Sequence, residues 1–253
     1  MSEHVRVSRT EHGVEILLDR PDKKNALTGA MYTALADTIE QAEDDAEIRT
    51  VLLAGAGANF TAGNDLQDFL TNPPGDDSPV GRFLAAIAST SVPVVAAVHG
   101  PAVGVGATML LHCDHVVAAE DAVLQFPFVG MALVPEAGST LLLPRAVGRL
   151  RAAEILLTGE PLDAAQALEL GLVSRVVPAG EHLDAARAFA ARVAAQPAEA
   201  VRLTKRLLAD DSPGVQPRIA REGTLFLQRL QSPEFVAAVQ AFLASRASAR
   251  EQS

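Results

Sequence analysis

Residues 93–106, Pro-Val-Val-Ala-Ala-Val-His-Gly-Pro-Ala-Val-Gly-Val-Gly, constrain the fold of this chain more than any other stretch. The apolar run at 93–98 is too short for a buried helix and suits a strand covered on both faces. Such a strand implies a largely parallel sheet with helices packed against it. Gly100, Gly104 and Gly106 then let the backbone turn sharply before a helix expected to run to about His112. The first N–H groups of a helix lack partners and lie at the positive end of its dipole. A turn of this kind suits a substrate oxyanion beside Gly104, and it suits a tight strand–helix connection equally well. The glycine spacing is not that of a dinucleotide fingerprint, and the Lys-Ser/Thr ending of a phosphate loop is missing.

The flanking sequence repeats the alternation. Residues 5–8 and 14–19 read as strands around a turn at His12-Gly13, and Thr28 reads as the cap of a helix with Met31, Leu35, Thr38, Ile39 and Ala42 on one face. Further strands are expected at 50–54, 114–118, 123–126 and 172–177. A Pro-, Gly- and Asp-rich stretch at 71–79 reads as a mobile surface loop, with a helix resuming near Gly81. Helices are expected after Pro144, and from Glu181 onward they follow one another, punctuated by Pro197, Pro213, Pro217 and Pro233. The fold class is therefore α/β, a parallel-sheet core followed by a helical C-terminal region.

The net charge of −10 argues against nucleic acid and anionic membranes as partners, because the long-range field repels polyanions. No apolar run approaches the roughly 18 residues of a membrane span, and the N-terminus has no signal-peptide core. Cys113 is the only cysteine, which fits a reducing, cytoplasmic setting and a small core side chain. His99, His112 and His115 straddle the glycine turn at spacings that make no recognisable metal site, so no metal is expected. Ser139 has no nucleophile elbow. Arg145 and Arg149 read as solvated charges.

A second glycine turn, Phe60-Thr-Ala62-Gly63-Asn64-Asp65-Leu66, also ends an apparent strand. Alone it suits either backbone contact with a ligand or a capped turn, with Asp65 bracing the loop. A third segment, 126–139, contains Phe126, Phe128, Pro135, Glu136, Gly138 and Ser139. There Glu136 could act as a base or cap a helix starting near Ala137.

In their order and spacing, these segments resemble the crotonase (enoyl-CoA hydratase/isomerase) superfamily, together with Arg20-Pro-Asp-Lys-Lys-Asn-Ala-Leu27, Leu157-Thr-Gly-Glu-Pro-Leu, Ala167-Leu-Glu-Leu-Gly-Leu-Val and Ala241-Phe-Leu. The resemblance implies a crotonase-type spiral of ββα units over 1–195 and a helical oligomerisation region over 196–253, assembled as a homotrimer or homohexamer. It implies an acyl-CoA thioester as substrate, with CoA as part of that substrate and no separate cofactor. CoA would lie against Lys24, Ala26, Ala62, Gly63, Asn64, Asp65, Leu66 and Gly104, and Lys205 is a candidate for its phosphates. The backbone N–H groups of Ala62 and Val105 would hold the thioester oxygen. Hydratases of the family carry two glutamates, and the matching positions here are Thr108 and Phe128. The Pro-Phe…Pro-Glu…Gly-Ser pattern instead resembles isomerases that convert 3-enoyl-CoA to 2-enoyl-CoA, with Glu136 as base. Its pKa is expected to be raised by desolvation, with Phe126 and Phe128 excluding water. The alternatives are a weak 2-enoyl-CoA hydratase, an isomerase of ring-derived thioesters, and a non-catalytic acyl-CoA binding protein.

Overall fold

The computed structural model describes residues 2–71, 78–209 and Pro233, and the chain divides into two compact units, 1–195 and 196–253. The first opens with an antiparallel hairpin, β1 (Val5–Arg9) and β2 (Gly13–Leu18), in which Val5 faces Leu18. Thr28 then caps α1 (Gly29–Asp44) by accepting the Met31 N–H, and the face bearing Met31, Leu35, Thr38, Ile39 and Ala42 is buried. Next come β3 (Thr50–Gly55), α2 (Leu66–Thr71), α3 (Pro79–Ser89), β4 (Val94–Val98), β5 (Pro101–Val103) and α4 (Val105–Thr108). A 3₁₀ turn, Met109–His112, extends α4. They are followed by β6 (His115–Ala119), β7 (Val123–Gln125), α5 (Ser139–Val147), α6 (Arg149–Thr158), β8 (Leu162–Asp163), α7 (Ala164–Glu169), β9 (Arg175–Val177) and α8 (His182–Ala194).

The strands form two sheets. The larger has the order β1-β2-β3-β4-β6-β9, parallel from β2 onward, and the smaller has the order β5-β7-β8. Each turn of the chain lays a long strand in the first sheet and a short one in the second: β4 leads to β5, and β6 to β7. The segment after β3 joins this pattern through a parallel bridge from Thr61 to Ala102. This is the spiral that the sequence resemblance implies. Strand β4 is buried throughout because sheet neighbours flank it and α8 covers one face. In the second unit, α9 (Ala198–Ala209) is the described helix.

Several boundaries differ from expectation. The helix expected after Pro144 begins at Ser139 and contains that proline, which costs it one intrahelical hydrogen bond. The strand expected from Leu172 begins at Arg175, because the N–H groups of Leu172 and Val173 turn back to the Ala167 carbonyl and finish α7. Ser78 caps α3 two residues ahead of its expected start, with Pro79 at the favoured first position. The expected loop at 71–79 falls largely on residues 72–77, outside the described residues, as do Pro213, Pro217 and the segment at 241–243.

Candidate active site

Three segments converge through backbone pairing. The Thr61 N–H donates to Pro101 O at 3.1 Å and the Val103 N–H to Thr61 O at 3.0 Å, so the two glycine turns run side by side in register. Gly63 thereby lies against Val103 and Gly104, the residues that lead into α4. Gly63 has a φ of 87°, and a Cβ there would lie 2.6 Å from the Val103 carbonyl oxygen, so no larger residue lets the turns approach. Gly104, at φ 58° and ψ −119°, makes the bend that starts α4.

The Arg20–Leu27 segment closes the third side. Asn25 is fully buried and acts as its hub. Its Oδ1 accepts the Arg20 N–H at 2.8 Å, and its Nδ2 donates to Ala56 O and Asn59 O at 2.8 and 2.7 Å. Arg20 in turn donates to Ala26 O and to Asp65 Oδ2, at 3.0 and 2.6 Å. The guanidinium holds the Asp65 carboxyl below its ordinary pKa, and Asp65 also accepts the Gln67 N–H at the start of α2. Asp65 therefore braces the Ala62–Gly63 loop. Lys24 and Leu66 are exposed, Ala26 and Asn64 half-buried.

This pairing corrects one expectation. The Ala62 N–H donates to Lys24 O at 2.9 Å, and the Gly63 N–H goes to Thr61 Oγ1 at 3.1 Å. Ala62 therefore has no N–H left for an oxyanion. The Asn64 N–H has no acceptor among the described residues, because the bridge from Leu27 to Asn64 uses Gly63 O and the Asp65 N–H. Opposite it, Val105 is the first residue of α4, where an N–H has no intrahelical acceptor, while the N–H groups of Ala107 and Thr108 return to Gly104 O. Two main-chain donors thus stand on neighbouring turns. The Asn64 side chain is held separately, its Oδ1 accepting the hydroxyl of the buried Tyr32.

Glu136 stands across from α4. Its Oε1 accepts the hydroxyl of Thr108, a fully buried residue on that helix. His112, one helical turn further on, places Nε2 2.8 Å from Ala137 O, so that nitrogen carries the proton. Ser139 Oγ donates to Glu136 O at 2.6 Å. Glu136 is not a helix cap: α5 begins after Gly138, whose φ of 65° makes the turn, and no side chain caps it. Burial raises the Glu136 pKa, and the Thr108 hydrogen bond lowers it by a smaller amount. Burial and the nearby Glu136 charge keep the Tyr32 hydroxyl protonated. Phe126 and Phe128 are both buried.

The three histidines of the glycine segment part company. His99 bonds Gly57 O and makes a tilted ring contact with His182, His112 serves Ala137, and His115 stacks on Phe189. Sequence reasoning missed Tyr32, Asn25 and the Thr108 hydroxyl as parts of the site. Asn25 and Thr108 stood at recognisable motif positions, whereas Tyr32 gave no signal beyond being the only tyrosine.

The enoyl-CoA hydratase/isomerase family model matches residues 9–252. The chain is 38% identical over 211 residues to the 1,2-epoxyphenylacetyl-CoA isomerase of Escherichia coli (strain K12), covering 80% of each chain. A solved structure from Magnetospirillum magneticum AMB-1, provisionally named an enoyl-CoA hydratase/carnithine racemase, superposes with a TM-score of 0.94 at 39% identity, covering 97% of each chain. The structure of Pseudomonas aeruginosa OdaA superposes with a TM-score of 0.80 at 45% identity, over 95% of this chain and 99% of that one.

Proposed function

Because the chain belongs to the enoyl-CoA hydratase/isomerase family, and so is an enzyme acting on acyl-CoA thioesters, we propose that it moves the double bond of a 3-enoyl-CoA to the 2-position. The observation that carries this reading is the half-buried carboxylate of Glu136, with a hydroxyl at Thr108 and a phenyl at Phe128 in place of further carboxylates at those two positions. Hydration asks for a pair of acid and base groups around a water. A 1,3-proton shift needs one base and a dry wall.

In the proposed reaction the Glu136 carboxylate takes a proton from C2. The electron pair flows toward the thioester oxygen, which the N–H groups of Asn64 and Val105 hold as an enolate. Glu136 then returns the proton at C4 on the same face, leaving the double bond between C2 and C3. Each donor of this type typically contributes about 2.7–4 kcal/mol. The reaction is redox-neutral, so CoA enters only as part of the substrate. We assign CoA to the rim formed by Lys24, Ala26, residues 62–66 and Gly104. The compartment we assign is the cytoplasm.

A second reading, isomerisation of a ring-derived thioester, is favoured by the name of the Escherichia coli relative and uses the same base. The test is an assay of the purified protein with 3-enoyl-CoA and 2-enoyl-CoA, repeated with Glu136→Gln. Conversion of the 3-enoyl substrate, lost by at least about 10²-fold in the variant, is expected for a general base. Hydration alone, or silent binding in both proteins, would overturn the isomerase reading.

A further inference from the structure

We propose that Tyr32 is a positioning residue for thioester polarisation, acting through the side chain of Asn64; this rests on the assignment of the Asn64 N–H as an oxyanion donor. Tyr32 lies in the first turn of α1, 3% exposed, with its ring 5.6 Å from that of the fully buried Phe83. A phenylalanine would fill the same space. The added hydroxyl has to lose its water on burial, which is unfavourable unless it finds a good acceptor. The acceptor it finds is Asn64 Oδ1, in the turn that exposes a main-chain donor, rather than a group within the core.

Three further observations give the contact a purpose beyond packing. Gly63 already makes the turn, so the side chain at 64 is not needed to form it. The Leu27 N–H donates to Gly63 O and the Asp65 N–H to Leu27 O, so the main chain holds both peptides that flank Asn64, and the Asn64 N–H is the one group of the bridge left without an acceptor among the described residues. The Tyr32 hydroxyl adds a side-chain tie from α1 to the same residue, and so bears on how its free N–H is aimed. Finally, burial, with the Glu136 charge adding to it, keeps the Tyr32 hydroxyl protonated, so it stays a donor to Asn64. Donor, base and tether therefore come from three different elements, and the tether is supplied by the helix that carries neither of the other two.

The test uses the full chain and a probe that needs no turnover: a cinnamoyl-CoA thioester with an electron-donating ring substituent. Hydrogen bonds to its carbonyl pull charge along the conjugated system and move its absorption to longer wavelength. Tyr32→Phe is expected to bind the probe with unchanged Kd and an unchanged Tm while losing at least half of the wild-type red shift. With 3-enoyl-CoA the same variant is expected to lose about 10-fold in kcat with little change in KM, as for a misplaced catalytic group. Asn64→Ala should show the same pattern. The double variant should fall no further than Asn64→Ala, because the two groups act as one unit.

A full red shift in Tyr32→Phe, or losses that multiply in the double variant, would overturn the proposal. If Tyr32→Phe does not fold, Asn64→Ala decides alone, and an unchanged shift there overturns it. A wild-type enzyme that shifts the probe yet does not isomerise removes the isomerase reading and leaves Tyr32 to be judged by the probe. A wild-type enzyme that does not shift the probe overturns the Tyr32 proposal itself.

Discussion

The Glu136 carboxylate sits between two opposing influences, and each can be read in a pH profile. Burial disfavours its charged form and raises its pKa, whereas the Thr108 hydroxyl favours the charged form. A base works only when deprotonated, so activity falls as pH drops through the raised value. The acidic limb of kcat/KM is therefore expected above the ordinary glutamate range. Thr108→Val removes the hydrogen bond without changing the volume much, so the limb should move further up in pH. A limb that stays put or moves down would show that the hydroxyl does not serve the carboxylate. The sequence places Glu136 just ahead of a helix, where a cap and a base both call for a carboxylate. It cannot separate them, because the deciding facts are Gly138 in the left-handed region and a Thr108 hydroxyl from another element.

Among the elements, the site depends on segments that are far apart in sequence and tied edge to edge. Arg20 and Asp65 clamp the first segment to the second glycine turn, with both side chains largely buried. The Asp65 pKa is depressed, so its contribution to stability is present at neutral pH and is lost as pH falls through the folded value. Asp65→Asn is expected to lower Tm by about 2–4 °C at pH 7, the shift that roughly 1 kcal/mol produces in a domain of this size. The gap to the wild type should close on acidification below the ordinary aspartate range, and a gap constant with pH would argue against the ion pair. The strands and α1 were legible because apolar runs and a Thr cap act locally. Helix α2 was not, since six residues show no period and its start is fixed by Asp65. Nor was the exchange of Ala62 for Asn64 as a free donor. Which N–H is spent depends on pairing with Lys24 and Leu27, and no local pattern encodes that.

For the molecule as a whole, the first unit shows apolar side chains on one sequence stretch that a lone domain would not be expected to expose. Val129, Met131, Leu133, Val134, Leu141, Leu150 and Leu157 are each 45% or more exposed. Self-association would cover them, and a sedimentation mass of three or six times 26.5 kDa is the expected result. A monomeric mass at working concentration would overturn that expectation. The alternation of strands and helices pointed to a parallel-sheet α/β core, the resemblance implied the spiral, and neither fixed the number of copies, since solvent-facing leucines carry no record of what covers them. The paired glycine turns have a further consequence for descent. A main-chain donor is not removed when the side chain at its own position is replaced, even where that replacement leaves it less well aimed, whereas a carboxylate is lost in one substitution. A lineage built on this backbone can keep one reactive intermediate while its members diverge in what they make from it. On the proposed mechanism, kinship speaks for the intermediate and the residue at 136 for the product.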